Sequence, residues 1–388
     1  MTSLPAWEPG VRYTVDERHE RILELVRLHG SLRVTDLAHH LGMSTVTLRR
    51  DVEALSTAGR LDRTRGAVSW PGASAAASVQ GPQLIPEAGP SDLADGAGVT
   101  LGLVVPQSQY YFGEIIRGVR EEVQSAGGRL VLGFSGYIPG QDEEQARRLL
   151  DSGVDGLLLT PGWMRDGSEE DAPDLDFGVP TVMLERRAAA GTQAAEFDFV
   201  CSDHYAGVGL AVRHLVSLGH RDIALLAGGS ATGVQVRAGY EAALRSAGIS
   251  GPPIDPIDLY AGELDTGRLE QAAKRLVKAV DTGKVSAAVV LSDTDAILLL
   301  QILRGLEPQL RVPQDLAIIA YDDDVAALSD LPLTAVAPPK YEVGREAVQL
   351  LLRRVRERRQ GQRAGTKRHL ALLPELRVRQ SCGAEVTS

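Results

Sequence analysis

Two groups of side chains in this 388-residue sequence have the types and spacing to do chemistry. The first is the run Ser44-Thr45-Val46-Thr47-Leu48-Arg49-Arg50-Asp51-Val52. Projected at 100° per residue, Leu48, Val52 and Leu55 share one helix face, while Val46 and Arg50, flanked by Thr47 and Arg49, point the other way. A helix anchored by aliphatics on one side and presenting Thr and Arg on the other suits insertion into the major groove of double-stranded DNA. There Arg pairs bidentately with guanine, and Val and Thr methyls touch thymine. Gly42-Met43 makes a tight turn before it, and Ser44 is suited to cap it. Downstream, GRLDRTRGAVSW reads as a hairpin turning at Gly66, whose Arg63 and Arg65 reach phosphates or the minor groove. The same pattern also describes a helix-turn-helix in a protein–protein module with exposed arginines.

The second group is dispersed in sequence and gathered by topology. In open α/β sheets, ligands sit beyond the carboxyl ends of the strands. Applied to the strands read below, that rule collects Ser108, Tyr111 and Phe112 after the first strand, Trp163 after the third and Arg186 after the fourth. A second series adds Arg237, Ser292, Asp293 and Asp322. Flat aromatics cover the C–H face of a polyhydroxylated ring while charged groups take its hydroxyls. Plainer roles compete at several positions. Asp203 and Asp293 stand where helices begin and suit N-caps. Tyr110 suits a surface, and Trp163 a cleft rim. Asp322, Asp323 and Asp324 point in different directions as consecutive residues, so no metal site is expected.

The elements that must position these groups fall into three zones. Residues 12–70 show helical periodicity and short turns: Ile22, Leu23, Leu25, Val26 and Leu28 mark a first helix ending at His29-Gly30, and Ser31 opens a second. Residues 71–98 are Ala, Gly, Pro and Ser with almost no aliphatic pattern, a flexible linker in which Pro71, Pro82, Pro86 and Pro90 leave no room for a helix. From Val99, apolar runs alternate with amphipathic helices, the signature of parallel α/β sheets. Strands are expected near 99–105, 130–134, 155–159, 180–184 and 198–201, then near 222–227, 257–260, 286–291 and 316–320. Helices are expected near 112–126, 142–151, 205–218, 234–247, 266–280, 294–304 and 341–358, with a last pair of short strands in LALLPELRVRQS. Two βα series of similar length imply two lobes, one of about 99–202 with 338–362 and the other of about 203–337 with 368–382.

Composition sets bounds. The net charge of −10 argues against nucleic acid until it is mapped. Residues 1–70 carry ten Arg and no Lys against nine acidic residues, so the excess acid lies beyond them. Cys201 and Cys382 are the only cysteines, which suits a reducing compartment and excludes a disulfide scaffold or a Cys-based zinc site. No apolar run approaches a membrane span, and the first residues lack a secretory layout, so a cytoplasmic protein with no membrane partner is expected. The arginine-rich run 353–363 closes an amphipathic helix and reads as a solvated face.

At its most specific stretch the N-terminal zone resembles the DeoR family: Ser44, Thr47, Leu48, Arg49, Arg50, Asp51, Val52, Leu55 and Gly59 fall on that family's recognition-helix pattern. The resemblance implies a winged helix-turn-helix over 12–70 that binds operator DNA, with Asp51 bracing the helix against a neighbouring Arg. Residues 99–382 resemble the LacI type of sensor, built like periplasmic sugar-binding proteins. VTLGLVVPQSQYYFGEIIRGVREE, DGLLLTP, HLVSLGHRDIALLAGG, RVPQDLAIIAYDDD and LLPELRVRQS follow in family order. That resemblance implies ligand contacts at Tyr111, Phe112, Ser292 and Asp322, with Asp293 close by. Two departures stand out: Val236 occupies the usual place of the ligand arginine and Arg237 lies one step later, and Ala320 replaces a glycine.

Together these imply an α/β protein with an N-terminal winged helix-turn-helix and a two-lobed periplasmic-binding-protein-like domain. Its expected function is sequence-specific repression of carbohydrate-utilisation genes, as a homodimer or tetramer, with a mono- or oligosaccharide effector bound between the lobes and no cofactor. The linker offers no hinge helix, so coupling is expected to be weak or to need linker ordering on DNA. The alternative is a cytosolic small-ligand sensor acting through protein partners without DNA. An enzyme is not expected, since the sequence has no GxGxxG after a strand, no Walker loop and no nucleophile constellation.

Overall fold

The computed structural model describes residues 14–15, 18–19, 21–23, 31–33, 45–57, 60–64, 67–69 and 83–84, and then 98–384 apart from 109, 139, 163–175, 189–190, 260–265, 308 and 364. The chain divides into two units, Met1–Gly81 and Pro82–Ser388.

In the first unit, β1 (Ser31–Arg33) and β2 (Asp62–Thr64) flank β3 (Ala67–Ser69) in an antiparallel sheet. The expected hairpin is therefore present over β2 and β3. The expected helix start at Ser31 is not: 31–33 is strand. Ser-Leu-Arg-Val alternates with period two, and pairing with β3 satisfies backbone groups that a helix start would leave open. Helix α1 (Thr45–Thr57) buries Leu48, Val52 and Leu55, and Ile22, Leu23 and Leu61 are buried in the same unit.

The second unit holds two sheets. One lobe orders its strands β14-β9-β8-β7-β5-β6-β4, namely β4 (Gln83–Leu84), β5 (Thr100–Val105), β6 (Arg129–Phe134), β7 (Gly156–Leu159), β8 (Thr181–Leu184), β9 (Asp198–Ser202) and β14 (His369–Leu372). All pair in parallel except β4, which lies antiparallel on the β6 edge. Two residues of the expected linker thus belong to a sheet. The other lobe orders β10 (Ile223–Leu226), β11 (Ala287–Val290), β12 (Ala317–Tyr321), β13 (Thr334–Ala337) and β15 (Glu375–Arg377), the last antiparallel.

Helices cover both faces of each sheet, which is why the strands read as unbroken apolar runs. In the first lobe, α2 (Tyr111–Ser125) and α8 (Lys340–Arg359) pack with Leu101, Leu103 and Val105 on one face, while α3 (Gln141–Asp151) packs with Val104 and Leu159 on the other. Gly118 and Gly344 let α2 and α8 touch backbone to backbone: a Cβ on Gly344 would lie 2.3 Å from the Ile115 carbonyl oxygen. In the second lobe, α6 (Thr266–Asp281) and α7 (Asp293–Arg304) cover one face, and α4 (His204–Ser217) and α5 (Ala231–Ser246) the other.

Three elements depart from expectation. The strand expected at 257–260 reduces to one bridge, Leu226 with Ile257, because Pro252, Pro253 and Pro256 cannot donate to a ladder. Strand β13 was hidden between Pro332 and Pro338. The tail does not belong wholly to the second lobe, as the boundary at 368 had it. β14 pairs with β9 in the first lobe, and the chain crosses at Leu373-Pro374 before β15 pairs with β13. The lobes are thus joined by three short passages, after Ser202, after Ala337 and after Leu372.

Candidate functional site

On α1, Val46 is 62% exposed, and Thr47, Arg49 and Arg50 are exposed beside it, opposite the buried Leu48-Val52-Leu55 face. Asp51 faces inward and accepts from Arg18 Nε at 2.8 Å and Nη2 at 3.0 Å, with His19 Nε2 3.6 Å away. It braces α1 against the first helical segment, so its partner is distant in sequence. Thr45 opens α1 and Arg63 sits within β2. Ser44, Arg65 and Trp163 lie outside the described residues.

In the second unit a cavity of about 290 Å³ opens at the carboxyl ends of the strands. The first lobe contributes Tyr111, Phe112, Tyr137, Glu185 and Arg186; the second contributes Ser230, Thr232, Leu259, Ser292, Asp295 and Asp322 among others. The sheet-end rule therefore gathers Tyr111, Phe112, Arg186, Ser292 and Asp322 as expected. Tyr111 is fixed from behind: its hydroxyl lies 3.1 Å from both Glu185 Oε1 and Ser202 Oγ, and Lys340 Nζ stands 5.1 Å over its ring. Ser202 donates to Glu185 from its hydroxyl at 2.8 Å and its amide at 3.2 Å, and His204 Nε2 lies 3.7 Å from the same carboxylate. His204 Nδ1 lies 3.3 Å from the Tyr321 hydroxyl, so this polar chain runs from one lobe to the other beside a crossing. Burial opposes ionisation of Glu185, and His204 with the Ser202 donors outweighs it, holding the carboxyl below its usual range.

Three expected contacts fall elsewhere. Arg237 donates from Nη2 to the Ala227 carbonyl and lies 4.0 Å from Asp258, holding the end of β10 and lining no part of this cavity. Its helix begins at Ala231, and Val236, at the place where the arginine was expected, is wholly buried in the core of the second lobe. Asp293 is buried and accepts from the amides of Val325 at 2.6 Å and Ala326 at 3.0 Å, which makes it a brace for the loop after β12. The N-cap is Ser292, in a reciprocal capping box with Asp295. Ser108 is exposed and outside the lining. Asp203 caps α4, accepting from the Ala206 amide. Asp323 pairs with Arg377 and Arg379, and Asp324 with Lys340, so these two neighbouring carboxylates serve different partners.

Residues 18–71 match the DeoR-like helix-turn-helix domain, and residues 212–382 the periplasmic binding protein-like domain. The two matched domains lie one in each unit, the helix-turn-helix match in the first and the periplasmic binding protein-like match in the second. The chain is similar to the HTH-type transcriptional repressor PurR of Vibrio atlanticus, at 29% identity over 67% of this chain and 75% of that protein. It is similar to the HTH-type transcriptional repressor CytR of Escherichia coli, at 29% over 69% and 74%. Among solved structures it resembles the transcriptional regulator CelR in complex with cellobiose (28% identity, 73% of this chain and 84% of that one, TM-score 0.59). A LacI family transcriptional regulator from Mycobacterium smegmatis matches at 28%, 72%, 98% and 0.58 respectively.

The cavity of the second unit holds one carboxyl displaced far from its ordinary range. Burial pushes Asp322 up to about 8, with Lys340 opposing and Asp293, Asp324 and Glu185 adding to the rise. A carboxyl that is more basic folded than unfolded keeps its proton preferentially in the native state. It therefore costs stability as pH rises from the ordinary carboxylate range to about 8, and no further above that. Asp322→Asn is expected to flatten the decline in melting temperature over that interval. Parallel pH profiles for variant and wild type would refute it.

Sequence reasoning passed over Tyr137, the α5 start and the part Glu185 plays. Glu185 directly follows the apolar run Val182-Met183-Leu184 of a fully buried strand, which was the available signal. Tyr137 comes from a loop after β6 with no pattern of its own.

Proposed function

We propose that the chain is a cytoplasmic DNA-binding transcription repressor whose operator affinity is set by a small polyhydroxylated effector, as a regulator of carbohydrate-utilisation genes acting as a dimer. The observation that carries this reading is the one-sided α1, with Thr47, Arg49 and Arg50 exposed opposite a buried aliphatic face, in a stretch matching a DeoR-like helix-turn-helix domain. The likeness to repressors over most of the chain supports it, and among the described residues no helix is long and apolar enough to cross a membrane.

Effector in the cavity between the lobes shifts their angle and, through the dimer, the spacing of two DNA readers. The edge pairing of Gln83–Leu84 with β6 supports such coupling, because the loop after β6 carries the cavity residue Tyr137. The test is selection of duplexes from a random pool by the full chain, followed by release with a metabolite panel. Enrichment of a two-fold symmetric site that one metabolite weakens is expected; recovery of random duplex alone sinks the reading.

A further inference from the structure

Of the two arginines the sequence offered as ligand contacts, only Arg186 lines the cavity. Arg237 is turned aside, whereas Arg186 is only 8% exposed and lines the main cavity together with a smaller one of about 50 Å³ that adjoins it. Its Nη1 donates to the Glu185 carbonyl at 2.8 Å, but its Nε has no partner among the described residues. The Glu185 carboxylate, one residue back, is committed to Tyr111 and Ser202, with His204 nearby. A buried guanidinium without a counter-ion is costly, and a ligand that supplies one recovers that cost.

From the other lobe, Ala231 and Thr232 line both of these cavities with Arg186. They are the first residues of α5, sixteen residues long. The opening amides of a helix have no intrahelical acceptor and carry the positive end of its dipole, a natural seat for an anion. The Ser230 hydroxyl accepts only from the Gly233 amide, at 3.1 Å. Gly233 lets this turn close tightly, since a Cβ there would lie 1.9 Å from the Gly228 carbonyl oxygen. Asp322 lines the main cavity but not the smaller one, and its Oδ1 is shielded from solvent and also lacks a hydrogen-bond partner among the described residues.

We infer that Arg186 and the N-terminal turn of α5 form an anion subsite, so that the effector carries a carboxylate or phosphate at that end and hydroxyls at the Asp322 end. The inference rests on the reading of this cavity as the effector site. An anion shared by Arg186 of one lobe and α5 of the other draws the lobes together, so binding and closure become one event. With Asp322 largely protonated near neutral pH, opposing charge in the cavity is reduced.

The experiment uses the full chain at constant ionic strength, titrated with inorganic phosphate and, separately, with glucose 6-phosphate, gluconate and glucose. Saturable stabilisation by phosphate over chloride is expected, with phosphate affinity about tenfold or more weaker in Arg186→Gln and retained in Arg186→Lys. The lysine variant, which keeps the charge, covers the chance that the glutamine variant fails to fold. Glucose 6-phosphate against gluconate separates phosphate from carboxylate, with glucose as the neutral reference. Phosphate acting no differently from chloride, or binding Arg186→Gln as tightly as wild type, overturns the anion subsite. A panel metabolite that loses affinity in Asp322→Asn but not in Arg186→Gln overturns the subsite alone and leaves the cavity reading standing. One indifferent to both substitutions overturns both.

Discussion

Replacing Asp198 with alanine is expected to lower the unfolding free energy of the chain by about 3–5 kcal/mol, the cost of leaving a buried charge without its partner. Arg354 of α8 grips this carboxylate from two sides, Nε to Oδ2 and Nη2 to Oδ1, each at 2.8 Å, with both side chains almost wholly buried. The Arg368 amide, just ahead of β14, donates to Oδ1 at 2.7 Å, and Arg354 Nη2 also reaches the Thr366 carbonyl at 2.6 Å. One carboxylate therefore ties β9, α8 and the returning tail together. Removing it takes the bidentate partner from an almost wholly buried guanidinium and leaves the more exposed Glu357 as its carboxylate partner among the described residues. Denaturant unfolding followed by circular dichroism measures the loss, with Glu357→Ala as the reference. That residue meets the same arginine at 2.9 Å from a more exposed position, and its loss should cost far less than that of Asp198. The double replacement Asp198→Leu with Arg354→Met should be milder than Asp198→Ala alone, because no lone charge remains. Equal losses for Asp198→Ala and Glu357→Ala would show that the pair is not a structural brace.

On the operator recovered by selection, Arg50→Ala is expected to cost about 1–3 kcal/mol of binding and to relax preference at one base-pair position. Arg50 projects from the centre of the exposed face of α1 and is best placed to reach a base edge; Arg49 flanks it. If Arg49 meets phosphate, its alanine variant weakens every duplex alike and reduces the salt slope by about one. Fluorescence titration at several salt concentrations separates the two. Wild-type affinity in the Arg49-Arg50 double alanine variant would place the DNA contact elsewhere. Leu48→Ala would be a poor probe of this face, since a buried leucine costs about 2–5 kcal/mol in folding alone.

Where the sequence spoke clearly, one physical pattern was unopposed. The runs that became β5, β7 and β8 are predominantly apolar because both sheet faces are covered, and the one-sidedness of α1 follows from a single buried stripe. It misled where local pattern and tertiary pairing disagree. Ser31–Arg33 looked like a helix start because a cap residue precedes aliphatics, yet its alternation was claimed by the β3 ladder. Prolines on both sides concealed β13, whose four residues are strand only because β12 and β15 are there to pair with them. The ligand arginine was misplaced because neither position of its helix serves the cleft: Val236 is buried in the core, and Arg237 turns to the Ala227 carbonyl. Arg186 was visible as a residue at a strand end. Its isolation from Glu185 was not, because that depends on three partners drawn from 111, 202 and 204.

The order in which a ribosome delivers this chain matters because of the crossing at Leu373-Pro374. Each sheet takes a closing strand from the stretch 369–377, β14 for one lobe and β15 for the other, so neither is finished until that stretch has been made. No contiguous piece of the gene encodes a whole lobe. A frameshift or stop codon ahead of residue 369 therefore damages both halves at once, and a lobe produced alone requires stitching together separate coding segments.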